Sequence, residues 1–194
     1  MKLLRTALPG VLVVEPTVFG DDRGWFLESF NENRWQAALE EQGEAVPSRF
    51  VQDNHSCSQA GVLRGLHYQL PPHAQGKLVR VVQGAAFDVA VDIRRGSPTF
   101  GQWSGVRLDA INRLQLWIPE GFAHGFMALT ADTHFLYKTT DVYSRECERS
   151  IRWDDPELAI QWPTLGQAPT LAPKDMAAPL LANADLPPRP NAKL

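Results

Sequence analysis

The sequence predicts an all-β fold, an antiparallel barrel of two sheets with short peripheral helices. Three observations predict it: short apolar segments, dense turn residues between them, and a period-two alternation in the clearest segments. Fourteen glycines and fifteen prolines punctuate the 194 residues, so most segments are too short for helices of ordinary length.

The clearest strands are Leu78–Gln83 and Phe87–Ile93, joined through Gly84-Ala85-Ala86. In the second, Phe87, Val89, Val91 and Ile93 share one face, and Asp88, Ala90 and Asp92 share the other. Shorter segments of the same character cover Val11–Val14, Val62–Gln69, Gly105–Leu108, Leu114–Ile118, Gly125–Leu129 and His134–Thr139. One helix stands out over Asn31–Gln42: Asn31 is a capping residue, Trp35, Ala38 and Leu39 form an apolar stripe, and Gly43 follows as a stop. The Pro- and Ala-rich region after Trp162 is expected to wrap over the barrel. Residues 1–186 read as one domain, and PPRPNAKL (187–194) reads as a loose tail. A jelly roll of the cupin type accommodates all of this.

Composition narrows the function. A formal net charge of −3 and a pI of about 5.9 offer no general attraction to nucleic acid or anionic membrane. The hydrophobic content of 44% is enough for a sizeable core without a disulfide or metal staple. Cys57 and Cys147 are far apart and form no CxxC pair. The amino terminus begins like a signal peptide, but Pro9, Gly10 and Glu15 interrupt its apolar run, and no stretch has the roughly 20 apolar residues that span a bilayer. The expected location is the cytoplasm.

Polar and ionisable residues crowd into strand-like segments where a purely structural sheet would exclude them. Gln52-Asp53-Asn54-His55 is followed by Arg64, His67, Lys77, the EGFAHG segment with His124, and Tyr137-Lys138. On the inner face of a barrel such groups become pocket residues. The histidines His55, His67, His73, His124 and His134 never form an HxH pair, and no carboxylate closely follows His67, which disfavours the common cupin metal set. A metal-free acid–base site beside a carbonyl suits an isolated histidine with lysine and tyrosine better. Asp154 and Asp155, adjacent in a Trp-Asp-Asp-Pro sequence, read as turn residues.

The runs FGDDRGWFLESF, FVQDNHS, GVLRGLHYQ, QGKLVRVVQGAAFDVAVDIRRGSPTFG, LWIPEGFAHGF, LYKTTDVYS and IRWDDP, in that order, resemble the dTDP-4-dehydrorhamnose 3,5-epimerase family, with PKD near the end as a further match. The resemblance implies a cupin-fold homodimer, without metal or organic cofactor, acting on dTDP-4-dehydro-6-deoxy-D-glucose on the way to dTDP-L-rhamnose. By it, His67 is the general base, Asp175 orients that histidine, Tyr137 is the acid on the opposite face, and Lys77 lies by the C4 oxygen. An imidazole with an ordinary pKa of about 6.5 suits proton abstraction at neutral pH. A phenol keeps its proton until an enolate demands it.

Further implied positions are Arg64, Arg23 and Lys174 at the diphosphate, Tyr143 stacked on thymine, and Glu28, Gln52, Asp53, Asn54, His124 and Glu148 around the substrate. Arg64 and His67 fall on opposite faces of an ideal strand, and a bulge at Gly65 would reconcile them. The chain departs from the family at Val142, often Tyr; Ser150, often Gly; and Trp25, often Phe. Competing readings are a mono-epimerase inverting C3 or C5 only, a non-catalytic nucleotide-sugar-binding cupin, and a metal cupin.

Overall fold

A computed structural model describes residues 1–47 and 49–188. From residue 189 on, the expected tail lies outside the described residues. The strands are β1 (Lys2–Arg5), β2 (Leu12–Glu15), β3 (Val18–Asp21), β4 (Gly24–Leu27), β5 (Gln52–Ser58), β6 (Leu63–Gln69), β7 (Lys77–Gln83), β8 (Ala85–Asp92), β9 (Trp103–Asp109), β10 (Gln115–Ile118), β11 (Phe122–Ala128), β12 (Thr133–Thr139) and β13 (Glu148–Ser150). Helix α1 spans Glu32–Gln42 and the single turn α2 spans Pro173–Met176.

Two antiparallel sheets face each other, one ordered β1-β2-β10-β7-β12-β5 and the other β13-β6-β11-β8-β9. Between them lies a core drawn from both: Val79, Val81, Leu116, Ile118 and Phe135 from the first, and Ala86, Ala90, Leu108, Phe122 and Phe126 from the second. Phe126 and Phe135 stack across this space at 4.0 Å between ring centroids. This is the expected jelly-roll architecture. The β7–β8 turn is tighter than expected, because only Gly84 (φ 76°) interrupts pairing and Ala85 and Ala86 already belong to β8.

The alternation in β8 sorts its residues between two hydrophobic layers rather than between core and water. Ala86 and Ala90 point into the barrel, whereas Val89, Val91 and Ile93 pack outward against Leu158, Leu181, Ala184 and Leu186. The segment after Trp162 thus wraps the outer face of the second sheet. Asp155 fastens it, accepting the Leu181 N–H at 2.6 Å and those of Glu157 and Leu158. The adjacent Asp154 pairs with Arg152, so this dipeptide is structural.

On the first sheet, α1 covers the outer face. Asn31 Oδ1 accepts the Arg34 N–H at 3.2 Å, and Gly43 ends the helix in the left-handed region at φ 69°. Trp35 and Leu39 bury their side chains against Leu3, Leu12, Val14, Leu78 and Trp117.

One irregularity decides where the functional side chains point. His124 pairs with His67 and Phe126 with Arg64, so two steps along β11 match three along β6. The extra residue is a bulge at Gly65 (φ 128°), and it turns Arg64 and His67 toward the same cavity. A Cβ on Gly65 would sit 2.5 Å from Gly125 Cα and 2.8 Å from His124 O, both backbone atoms that cannot yield cheaply. Gly65→Ala is therefore expected to lower stability by about 1–3 kcal/mol, the usual scale for overpacking. Urea unfolding at constant m would measure the loss.

Candidate active site

The bulged strand opens onto a cavity of about 530 Å³ bounded by β5, β6, β7, β11 and β12, with β13 and α2 at its rim. Residues come to it from far apart in the chain, and the local structure of each element explains its orientation.

His67 is presented by β6, one-quarter exposed, and its Nε2 lies 2.6 Å from Asp175 Oδ1. Asp175 is buried on α2, whose helical turn begins at Pro173, a residue suited to the first helical position. Its second oxygen accepts the Gly65 N–H at 3.4 Å, so the bulge also anchors the carboxylate. Burial pushes the Asp175 carboxyl up, but hydrogen bonding and charge from His67, with the Gly65 N–H, outweigh it and hold the group below the usual carboxylate range. An ionised carboxylate at Nε2 makes that nitrogen the donor and leaves the lone pair on Nδ1.

Beside it, Lys77 opens β7 and is buried, its Nζ donating to the His67 carbonyl at 3.3 Å. Burial pushes the Lys77 ammonium down to about 8, with the negative charges of Asp88 and Glu148 partly opposing the shift. Tyr137 lies on the inward face of β12 with Phe135 and Thr139, against the barrel core. Its phenol is raised above the ordinary value, first by burial, with Arg64 pulling down and Glu148 pushing up.

His124, the cross-strand neighbour of His67, forms a second histidine–aspartate pair. Its Nε2 lies 3.0 Å from Asp88 Oδ2, and Asp88 is fully buried. Sequence reasoning did not single out Asp88. The available signal was an aspartate between Ala86 and Ala90 on one strand face, where small neighbours leave room for a partner from the next strand.

Polar groups line the rest. Glu148 on β13 accepts from Lys174 Nζ at 2.8 Å and from the Tyr143 hydroxyl at 3.1 Å. Gln52 Oε1 accepts the Tyr143 N–H at 2.9 Å, and Gln52 Nε2 donates to Asn54 Oδ1 at 3.0 Å. Arg64 donates from Nε to Ser58 Oγ at 3.1 Å. His67, Tyr137, Asp175, Lys77, Gln52, Asn54, Arg64, His124, Tyr143, Glu148 and Lys174 therefore share one cavity.

Three expected residues do not reach it in this chain. Arg23 sits in the β3–β4 turn, paired with Asp21 and exposed. Glu28 pairs with Arg34, 3.2 Å away, and with Asn31. Asp53 points to the opposite face of β5 and pairs with Lys138 at 2.9 Å. The reason is the strand period: Gln52 and Asn54 face inward, so Asp53 between them faces outward.

The model of the dTDP-4-dehydrorhamnose 3,5-epimerase family matches residues 5–183. The chain belongs to this family. It is accordingly an isomerase of the epimerase kind. A dTDP-4-dehydrorhamnose 3,5-epimerase of Pseudomonas aeruginosa is 57% identical over 185 residues, 95% of this chain and 98% of its relative. Among solved structures, a dTDP-6-deoxy-D-glucose-3,5-epimerase of Legionella pneumophila, in complex with dTDP-4-keto-L-rhamnose, superposes with a TM-score of 0.90 at 53% identity, covering 98% of this chain and 99% of that one. A 3′-monoepimerase of Streptomyces bikiniensis, in complex with dTDP-quinovose, has a TM-score of 0.85 at 36% identity, covering 96% and 92%. Of these two structures the 3,5-epimerase is the nearer in sequence, while the barrel itself is common to both. Among the described residues, no helix is long and apolar enough to cross a membrane.

Proposed function

We propose that this chain epimerises C3 and C5 of dTDP-4-dehydro-6-deoxy-D-glucose, giving dTDP-4-dehydro-L-rhamnose in the cytoplasm. The observation that carries this reading is the carboxylate-backed His67 in one cavity with Tyr137 and a buried Lys77.

The C4 ketone acidifies the hydrogens on C3 and C5. His67 Nδ1 takes one of them, and Asp175 supports the imidazolium that results. The electron pair moves to the C4 oxygen, where the Lys77 ammonium stabilises the enolate. Tyr137 then returns a proton to the carbon from the other face. Its raised affinity for the proton makes it a reluctant donor to neutral ground states and a competent one to an enolate. Arg64 and Lys174 bind the diphosphate, Tyr143 stacks on the thymine, and Gln52, Asn54, His124 and Glu148 hold the base and sugar.

The active form in this reading is a homodimer. The β3–β4 hairpin leaves Phe19 (60%), Trp25 (57%) and Phe26 (68%) exposed, an apolar surface that a second copy would bury. Arg23 in its turn, with Glu28 just beyond, would then serve the neighbouring cavity.

Proton exchange in D2O, followed by NMR with a 4-keto reductase trapping the product, tests the chemistry. Deuterium at both C3 and C5 with an L-rhamnose product is expected, and label at one carbon only would make the chain a mono-epimerase. In the same assay Tyr137→Phe is expected to keep exchange at the first carbon while losing roughly 10²-fold in inverted product, the lower end of acid–base contributions. Equal losses in exchange and inversion would remove Tyr137 from the acid role.

A further inference from the structure

Two histidines that the proposed reaction does not use meet on the outer face of the first sheet. His55 on the edge strand β5 and His134 on β12 bring Nε2 and Nδ1 to 3.0 Å, with ring centroids 5.0 Å apart and planes inclined by 57°. Cys57 stands directly opposite His134 in the strand register and two residues from His55, so all three share one face. Cys57 is an exposed free thiol, and His55 is exposed as well, so an ion has an open approach.

We propose that His55, His134 and Cys57 form a binding site for a borderline divalent transition ion of the zinc type, separate from the site of epimerisation. The facing nitrogens hydrogen-bond only when one carries a proton. A tetrahedral ion about 2.0–2.1 Å from each imidazole nitrogen holds the two roughly 3.3 Å apart with both lone pairs aimed at it. An ion can therefore replace that proton once the rings part by a few tenths of an ångström, on the order of 0.3 Å, and turn off their common axis. Among the described residues no three His, Cys, Asp or Glu side chains already converge on one point. The site is therefore a preformed pair, and the Cys57 thiolate completes it by turning toward the ion. Thiolate with two imidazoles selects zinc, cobalt or copper over magnesium or calcium, which prefer oxygen ligands. The ion would clamp the edge strand β5 to β12, stiffening the strand whose other face presents Gln52 and Asn54 to the cavity.

Titration of the tag-free protein with Co2+ under anaerobic conditions tests this. One ion per chain is expected, with visible ligand-field bands and a near-ultraviolet thiolate-to-cobalt band, displaced by Zn2+. His134→Ala and Cys57→Ser should each weaken binding by more than ~10-fold, the loss caused by removing even a supporting residue. Neither variant touches the proposed acid–base groups, so both should retain epimerase activity without metal, which also reports that they fold. Zinc should raise the Tm of the wild type and not of His134→Ala. Unchanged Co2+ affinity in His134→Ala, or a saturated complex without the thiolate band, would overturn the proposal.

Discussion

His67→Ala is expected to abolish solvent exchange at both C3 and C5, lowering turnover by roughly 10²–10⁴-fold, the range a positioned general base contributes. Binding of dTDP should change little, because the residues assigned to the nucleotide, Arg64, Tyr143 and Lys174, are held by Ser58, Gln52 and Glu148 rather than by His67. The alanine variant also leaves Asp175 without its main partner in a buried position, so some loss of stability accompanies the loss of rate. His67→Gln, whose amide nitrogen reaches about as far along the side chain as Nε2 and can donate to the carboxylate, separates the two effects: it should recover stability and not exchange. Near-wild-type exchange in either variant would show that another group removes the proton. His124, with its own buried aspartate, would be the first to examine.

Lys77→Met should cost about 10²–10³-fold in kcat, as removal of a donor to a developing oxyanion does elsewhere. The pH profile is the sharper readout. Burial lowers the Lys77 ammonium to about 8, so raising the pH through that value removes the charge that the proposed mechanism sets against the enolate. The free enzyme is then expected to lose kcat/KM on an alkaline limb near pH 8. In Lys77→Met this limb should vanish, and in Lys77→Arg it should move upward, because a guanidinium stays protonated. A limb of unchanged position in Lys77→Met would assign it to a different group.

Local pattern carried much of the fold. The period-two runs in β6, β7, β8 and β12 needed no tertiary information, and neither did α1, whose cap, stripe and terminal glycine agree with one another. β5 was legible only as a polar strand-like start at Gln52–His55 and not in its full extent, because QDNHSCS is polar on both faces: one face lines a cavity, the other lies open, and neither shows apolar alternation. The β3–β4 hairpin was missed for the opposite reason, since its large apolar residues are exposed. The site was legible mainly through resemblance. Tyr137 could be turned inward by counting along β12, and the face conflict between Arg64 and His67 pointed to Gly65. The meeting of His67 with Asp175 spans 108 positions, and that of His124 with Asp88 depends on the register of two neighbouring strands. No local spacing encodes either.

The segment that seals the outer face of the second sheet also carries α2, and with it Asp175. During synthesis His67 therefore emerges long before the carboxylate that orients it. A nascent chain stopped short of Pro173 has every strand of both sheets and still lacks the carboxylate that pairs with His67. In the proposed reaction, a product clipped before Pro173 would keep its strands, lose the partner of its base, and so be slow toward a reactive keto sugar.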